Sequence, residues 1–286
     1  MRAENARPVQ PAEVIERGLP AFVDRDNEAR RLDGAIRKRT SLVIFGPAGM
    51  GKTALVRQVI HRLPPDLAAS CLYIPGMKDL PDLLRQLVRR LHDLEDPHLR
   101  RDLHSVGISA LTFEPWLKEQ SSSHLKGVMY RTLEQGDYRV FLDHVPHLTH
   151  AVAQVIKELF WMRNAPVYLM VRDELEQHLQ PFYRSFYWGD RERLALPALP
   201  AAAAEELLEN CIKRLNISRL DLTGFRDAVL KLSKRVPGAI VKMCALAADP
   251  RFQYGSRVMI RSIYINYLMN GHELEQKPTF PPTLHR

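Results

Sequence analysis

One stretch of the sequence concentrates the chemistry: GPAGMGKT, Gly46–Thr53. It satisfies G-x-x-x-x-G-K-[ST] at every fixed position, with a β-type run before it and a helical pattern after it. The loop of Gly46, Pro47, Ala48, Gly49, Met50, Gly51, Lys52, Thr53 and Ala54 is therefore a candidate phosphate cradle. Glycines at 46, 49 and 51 let the backbone curl until its N–H groups face phosphate oxygens. A helix beginning near Gly51 adds the positive end of its dipole. Lys52 offers a point charge for β- and γ-phosphates, and Thr53 offers a hydroxyl to Mg²⁺. Together these residue types imply binding of a nucleoside triphosphate.

A metal shared with phosphates needs a second oxygen ligand, and Asp143 is the candidate. It ends the apolar run YRVFLD (Tyr138–Asp143). In a parallel sheet a strand's last residue lies at the carboxyl edge, beside a loop that leaves a neighbouring strand. His144 follows it and can accept a proton.

The surrounding elements read as an alternation. Ala29, Leu32 and Ile36 repeat at helical spacing within Asp24–Arg39, with Asp24 or Asp26 as the N-cap. SLVIF (Ser41–Phe45) is a strand. The helix after the glycine loop carries Leu55, Val56, Val59 and Ile60. CLYI (Cys71–Ile74) is a second strand, followed by a helix with Leu80, Leu83, Leu84, Leu87, Val88 and Leu91 on one face. Residues 93–137 are polar and read as two less regular helices. After the strand YRVFLD, a helix carries Ala151, Val152, Val155, Ile156, Leu159 and Phe160. PVYLMV (Pro166–Val171) is a fourth strand and LALPAL (Leu194–Leu199) a fifth. Apolar strands alternating with amphipathic helices predict an α/β fold, a parallel sheet sandwiched by helices. Beyond Pro200 only helical patterns persist. The expected layout is an N-terminal arm over 1–20, a core over 21–199, a small all-α domain over 200–272 and a tail over 273–286.

Composition narrows the class. The chain has 286 residues, 45% of them hydrophobic, which suffices for a sizeable core. Forty-one Lys and Arg against 33 Asp and Glu leave a formal charge of +8, favouring an anionic partner. No apolar run reaches the roughly 20 residues of a membrane helix, and no apolar block follows the first residues, so no membrane partner is expected. Cys71, Cys211 and Cys244 stand far apart with no CxxC pair, and read as small buried hydrophobes in a reducing compartment. The expected location is cytoplasmic.

With these motifs in view, the chain resembles AAA+ and related STAND P-loop ATPases, near bacterial origin-recognition-like and transposon-regulator-like members. FVDRDNEARRLDGAI (Phe22–Ile36) is similar to the "F-x-G-R-x-x-E" element that packs on adenine, with Asp24 where glycine is usual. The resemblance implies ATP and Mg²⁺ as cofactors, Phe22 and Val23 beside the base, and strand order 5-1-4-3-2. It implies a helical lid over 200–272, with Pro237 of KRVPGAI (Lys234–Ile240) near the adenine. Gly238 stands where a lid sensor arginine falls in AAA+ proteins. Arg172, after the fourth strand, takes the sensor position. Arg184 is a candidate finger reaching a neighbouring subunit, with Arg191 and Arg193 as competitors. The family usually keeps a carboxylate after the strand-end Asp, so His144 implies slow hydrolysis. The implied function is ATP-dependent self-assembly, in a ring or filament, on DNA. Arg85, Arg89 and Arg90, with few acids close in sequence, would contact the phosphate backbone. The alternative is a STAND-like switch that acts through a protein partner without DNA.

Overall fold

The computed structural model describes residues 23–145, 149–172 and 193–270. The expected arm and tail, Phe22, Arg184 and Arg191 lie outside the described residues. Among those described, the chain divides into two compact units, 25–197 and 198–270, the second joined by Val23 and Asp24. No described helix is long and apolar enough to cross a membrane.

The first unit is built on five parallel strands. They are β1 (Leu42–Phe45), β2 (Cys71–Ile74), β3 (Arg139–Leu142), β4 (Val167–Val171) and β5 (Arg193–Ala195), in the order β2-β3-β4-β1-β5. This is the order the resemblance implied. Every residue of β3 and β4 is buried, as expected for strands covered on both faces. Alternation divides the strand residues between two layers. Val43, Leu72, Ile74, Val140, Leu142, Leu169 and Val171 join one apolar cluster. It is closed by α4 (Leu80–Asp93), α5 (Pro97–Ser105), α6 (Phe113–Glu119), α7 (Ser122–Gln135) and α8 (His150–Phe160). On the other face Phe141 stacks on Tyr168 at 4.5 Å between ring centroids. The Tyr168 hydroxyl donates to Ala35 O of α1 (Asp26–Arg37), so α1 covers that side. Beside α1 packs α2 (Lys52–Arg62), and a short α3 (Pro65–Ala69) leads into β2.

Three local expectations are corrected. Arg25, not an aspartate, is the cap residue of α1, and no side chain bonds the helix end. Asp24 has φ +47°, the left-handed region that the family's glycine favours, and Asp26 is already helical. The span 93–137 holds three helices rather than two. Two of the three starts are marked by side-chain caps: Asp96 accepts from the His98 and Leu99 amides, and Ser121 from that of His124. The last of the three is a regular 14-residue helix burying Leu125, Val128, Met129 and Leu133. The fifth strand is shorter than expected and ends at Ala195, because Pro197 cannot donate to a ladder.

The second unit packs α9 (Ala201–Arg214), α10 (Phe225–Leu232), α11 (Pro237–Ala248) and α12 (Ile260–Asn270). Leu207, Leu208, Phe225, Val229, Ile240 and Met243 form its core. It is not wholly helical: β6 (Gln253–Tyr254) and β7 (Arg257–Val258) make a two-residue antiparallel pair turning at Gly255, φ +61°. Cys211 of α9 and Cys244 of α11 are buried free thiols.

Candidate functional site

Parallel pairing brings all five strand ends to one edge. From it leave the loop after Phe45, the residues after Ile74, Asp143 after β3, Arg172 after β4 and Leu196 after β5. The loop after β1 has the curl its glycines predicted: φ is +155° at Gly46, +77° at Gly49 and +89° at Gly51. Gly51 is the N-cap of α2 and adopts the left-handed conformation. At Gly46 a Cβ atom would stand 2.9 Å from the Leu196 carbonyl oxygen, and the Leu196 amide in turn donates to Phe45 O. Lys52 Nζ donates to the carbonyls of Gly46 at 2.6 Å and Pro47 at 3.0 Å, so its charge lies across the loop.

Thr53 and Asp143 meet directly. The Thr53 hydroxyl donates to Asp143 Oδ2 at 2.6 Å, and Asp143 is 2% exposed. A hydroxyl beside one carboxylate is the hard oxygen pair that suits Mg²⁺, which takes its remaining ligands from water and phosphates. The loop's positive φ angles and this pair thus fit a phosphate-bound Mg²⁺. No cluster of three or more His, Cys, Asp or Glu set to hold a metal exists among the described residues.

Two further groups hold Asp143. The Tyr73 hydroxyl donates to the same Oδ2 at 2.6 Å, while the His144 amide donates to Oδ1 at 2.8 Å. His144 Nδ1 lies 3.2 Å from Oδ1, and the residue has φ +47°, a strained angle for a non-glycine. Burial pushes the Asp143 carboxyl up, but His144 and the two hydroxyls outweigh it and hold the acid below its ordinary value. The hydrogen bond to Asp143 raises His144 above its ordinary value, against burial and the charge of Arg172. Arg172 therefore acts on the same cluster as the phosphate loop.

Tyr73 is the residue that sequence reasoning missed. The signal was strand parity: Leu72 and Ile74 share the cluster of Val140 and Leu142, so Tyr73 and Asp143 share the opposite face. That face is where Arg57 of α2 lies over the Tyr73 ring, 5.5 Å from its centroid.

Other predicted residues are found elsewhere. Arg25 and Glu28 of the "R-x-x-E" element pair with each other at 3.0 Å, and Arg25 Nη2 donates to Pro197 O. Val23 packs in the core of the second unit, and Pro237 opens α11 there. Arg193 lies in β5 over the Phe45 ring, 4.9 Å from its centroid. Of the three arginines on α4, Arg89 forms a two-pronged bond to Glu114 of α6, at 2.6 and 2.8 Å. Arg85 donates to Lys118 O, and Arg90 stands 3.9 Å from Asp93. The expectation of few acids close to them is corrected at Arg89, which meets Glu114 because α6 folds back onto α4, and at Arg90, which has Asp93 beside it.

A model of the AAA ATPase domain matches residues 21–225. No curated protein matches significantly. Among solved structures, the Walker-type ATPase PABY2304 of Pyrococcus abyssi is similar with 15% identity and a TM-score of 0.58, covering 89% of this chain and 75% of that one. The ORC2 protein of Aeropyrum pernix is similar with 15% identity and a TM-score of 0.56, covering 92% and 73%. At these identities the two likenesses concern the fold. The family match, by contrast, spans well over half of the chain, from the "R-x-x-E" element through the phosphate loop into the second unit, and the chain belongs to the AAA ATPase domain family.

Proposed function

We propose that this protein binds ATP with Mg²⁺ at the Gly46–Thr53 loop and hydrolyses it slowly, and that ATP-bound copies assemble on DNA through backbone contacts. The observation that carries the first part is the 2.6 Å contact between Thr53 and buried Asp143, beside a loop whose three glycines all have positive φ. In this reading the loop amides and the α2 terminus receive the phosphates, and Lys52 turns from its own loop carbonyls to the β- and γ-oxygens. Bound Mg²⁺ would neutralise charge on the phosphate oxygens. Asp143 stays ionised to accept it, and Arg172 adds charge from the next strand end. The Aeropyrum protein is described in ADPNP–ADP complexes, in keeping with a nucleotide site here.

Slow hydrolysis follows from His144. Nδ1 lies against Asp143, and the imidazole, drawn also to the Pro75 carbonyl, holds its proton more tightly than an ordinary histidine, which opposes its service as a base. Assembly rests on the +8 charge and on Arg184 as the finger. The ties of Arg89 and Arg85 to α6 make Arg90 the first of the three to test against DNA.

Calorimetry tests the centre of the reading. Lys52→Ala should abolish tight ATP binding, and Asp143→Ala should weaken it mainly when magnesium is present. Unchanged ATP affinity in Lys52→Ala would remove the reading altogether. A protein that binds ATP yet stays monomeric and ignores DNA at low salt would instead support the signalling-switch alternative.

A further inference from the structure

We infer that Tyr73 is a positioning residue for the Asp143 carboxylate, fixing it in the orientation that a divalent cation between Thr53 and the phosphates requires. This rests on the reading of Asp143 as the Mg²⁺ carboxylate. Two elements converge on one oxygen. Thr53 from α2 and Tyr73 from β2 both donate to Oδ2 at 2.6 Å, while Oδ1 is held by the His144 amide. The two hydroxyls differ in what they can do next. Thr53 must turn a lone pair toward a cation in order to ligate it, and its bond to Asp143 is then altered. Tyr73 has no such second duty, so its bond persists and keeps the carboxylate from rotating. Arg57, one turn beyond Thr53 on α2, holds the Tyr73 ring from the other side.

Outer groups of this kind commonly change metal affinity by 10–100-fold when removed, because an unfixed ligand must be ordered at the moment of binding. Tyr73→Phe deletes one oxygen and keeps the ring that Arg57 covers. ATP affinity is measured by calorimetry on the full chain, once with excess Mg²⁺ and once with EDTA. In Tyr73→Phe the magnesium-dependent gain in affinity should fall about tenfold, with the EDTA value unchanged. Arg57→Met, which leaves the hydroxyl in place but loosens the ring, should show a smaller loss of the same gain. A thermal melt of each variant reports folding. If both folded variants retain the full magnesium-dependent gain, Tyr73 does not position the acid. A loss equal in Mg²⁺ and in EDTA overturns the proposal too, since a general disturbance of the loop would do that. Lys52→Ala, run alongside, separates the cases: its loss of ATP binding in both conditions upholds the nucleotide site even if Tyr73 proves inert.

Discussion

At the scale of single residues, Gly46 carries two constraints at once: φ +155° and a Leu196 carbonyl oxygen 2.9 Å from where a Cβ would sit. Backbone has to shift for any side chain there. Gly46→Ala should therefore cost about 1–3 kcal/mol of stability and displace the loop amides, seen as a lower melting point together with weakened ATP binding. His144 also has positive φ, but its own amide and ring bond to Asp143 hold it there. A carboxylate in its place would be fully ionised near neutral pH and free to accept a proton from water. Steady-state ATPase assays should show His144→Glu faster than wild type by about 10²-fold, the lower end of what a general base contributes. A vigorous wild-type turnover that His144→Ala leaves intact would show that the base is another group.

At the scale of elements, α4 and α6 are fastened by the Arg89–Glu114 fork and by His92 stacked on Phe113, 3.7 Å between centroids. Arg89 and Glu114 are both partly exposed, so the fork is worth no more than about 1 kcal/mol. Its larger consequence is for charge. If this helix face meets DNA, Glu114→Ala releases Arg89, and binding should tighten with a salt dependence steeper by about one counterion. An unchanged salt slope would take Arg89 off that surface. Strand β3 has a different tie. Arg139, 5% exposed, pairs with Asp137 at 2.6 Å, and Arg39 reaches the same carboxylate. Burial alone would raise Asp137, yet the two arginines outweigh it and depress the acid below its ordinary value. A depressed acid stabilises the fold fully above its unfolded value of about 3.9, and that stability is lost as pH falls through the folded value. Asp137→Asn should lower stability by about 1–2 kcal/mol at pH 7, allowing for screening at a half-exposed group, and flatten the acid limb. Denaturant titrations at both ends of that range measure it.

For the whole molecule, the proposal is assembly. ATP should shift the protein to oligomers in sedimentation velocity, and Arg184→Ala should lose them while each copy still binds ATP. Charge reversal at Arg90 should instead leave oligomers intact and weaken DNA binding nearly equally for all sequences, since phosphate contacts carry no sequence information. Variants that fail both ways together would point to one shared surface.

Much of this organisation was open to sequence reading, because it rests on local physics. Apolar runs such as VYLMV are too hydrophobic for anything but a doubly covered strand, and the spacing of Leu83, Leu84, Leu87, Val88 and Leu91 admits one helix face. The glycine loop was legible because few other sequences let a backbone turn inward and still start a helix. The caps at Asp96 and Ser121 were equally local, yet the polar run around them carried too weak a period to separate three helices. What the tertiary structure alone decided are the meetings between distant segments. Tyr73 reaches Asp143 only once β2 and β3 pair in register, and Glu114 reaches Arg89 only once α6 folds back on α4. Pairing register and helix packing are set by the summed burial of the whole core, so no window of sequence around Tyr73 or Arg89 contains them.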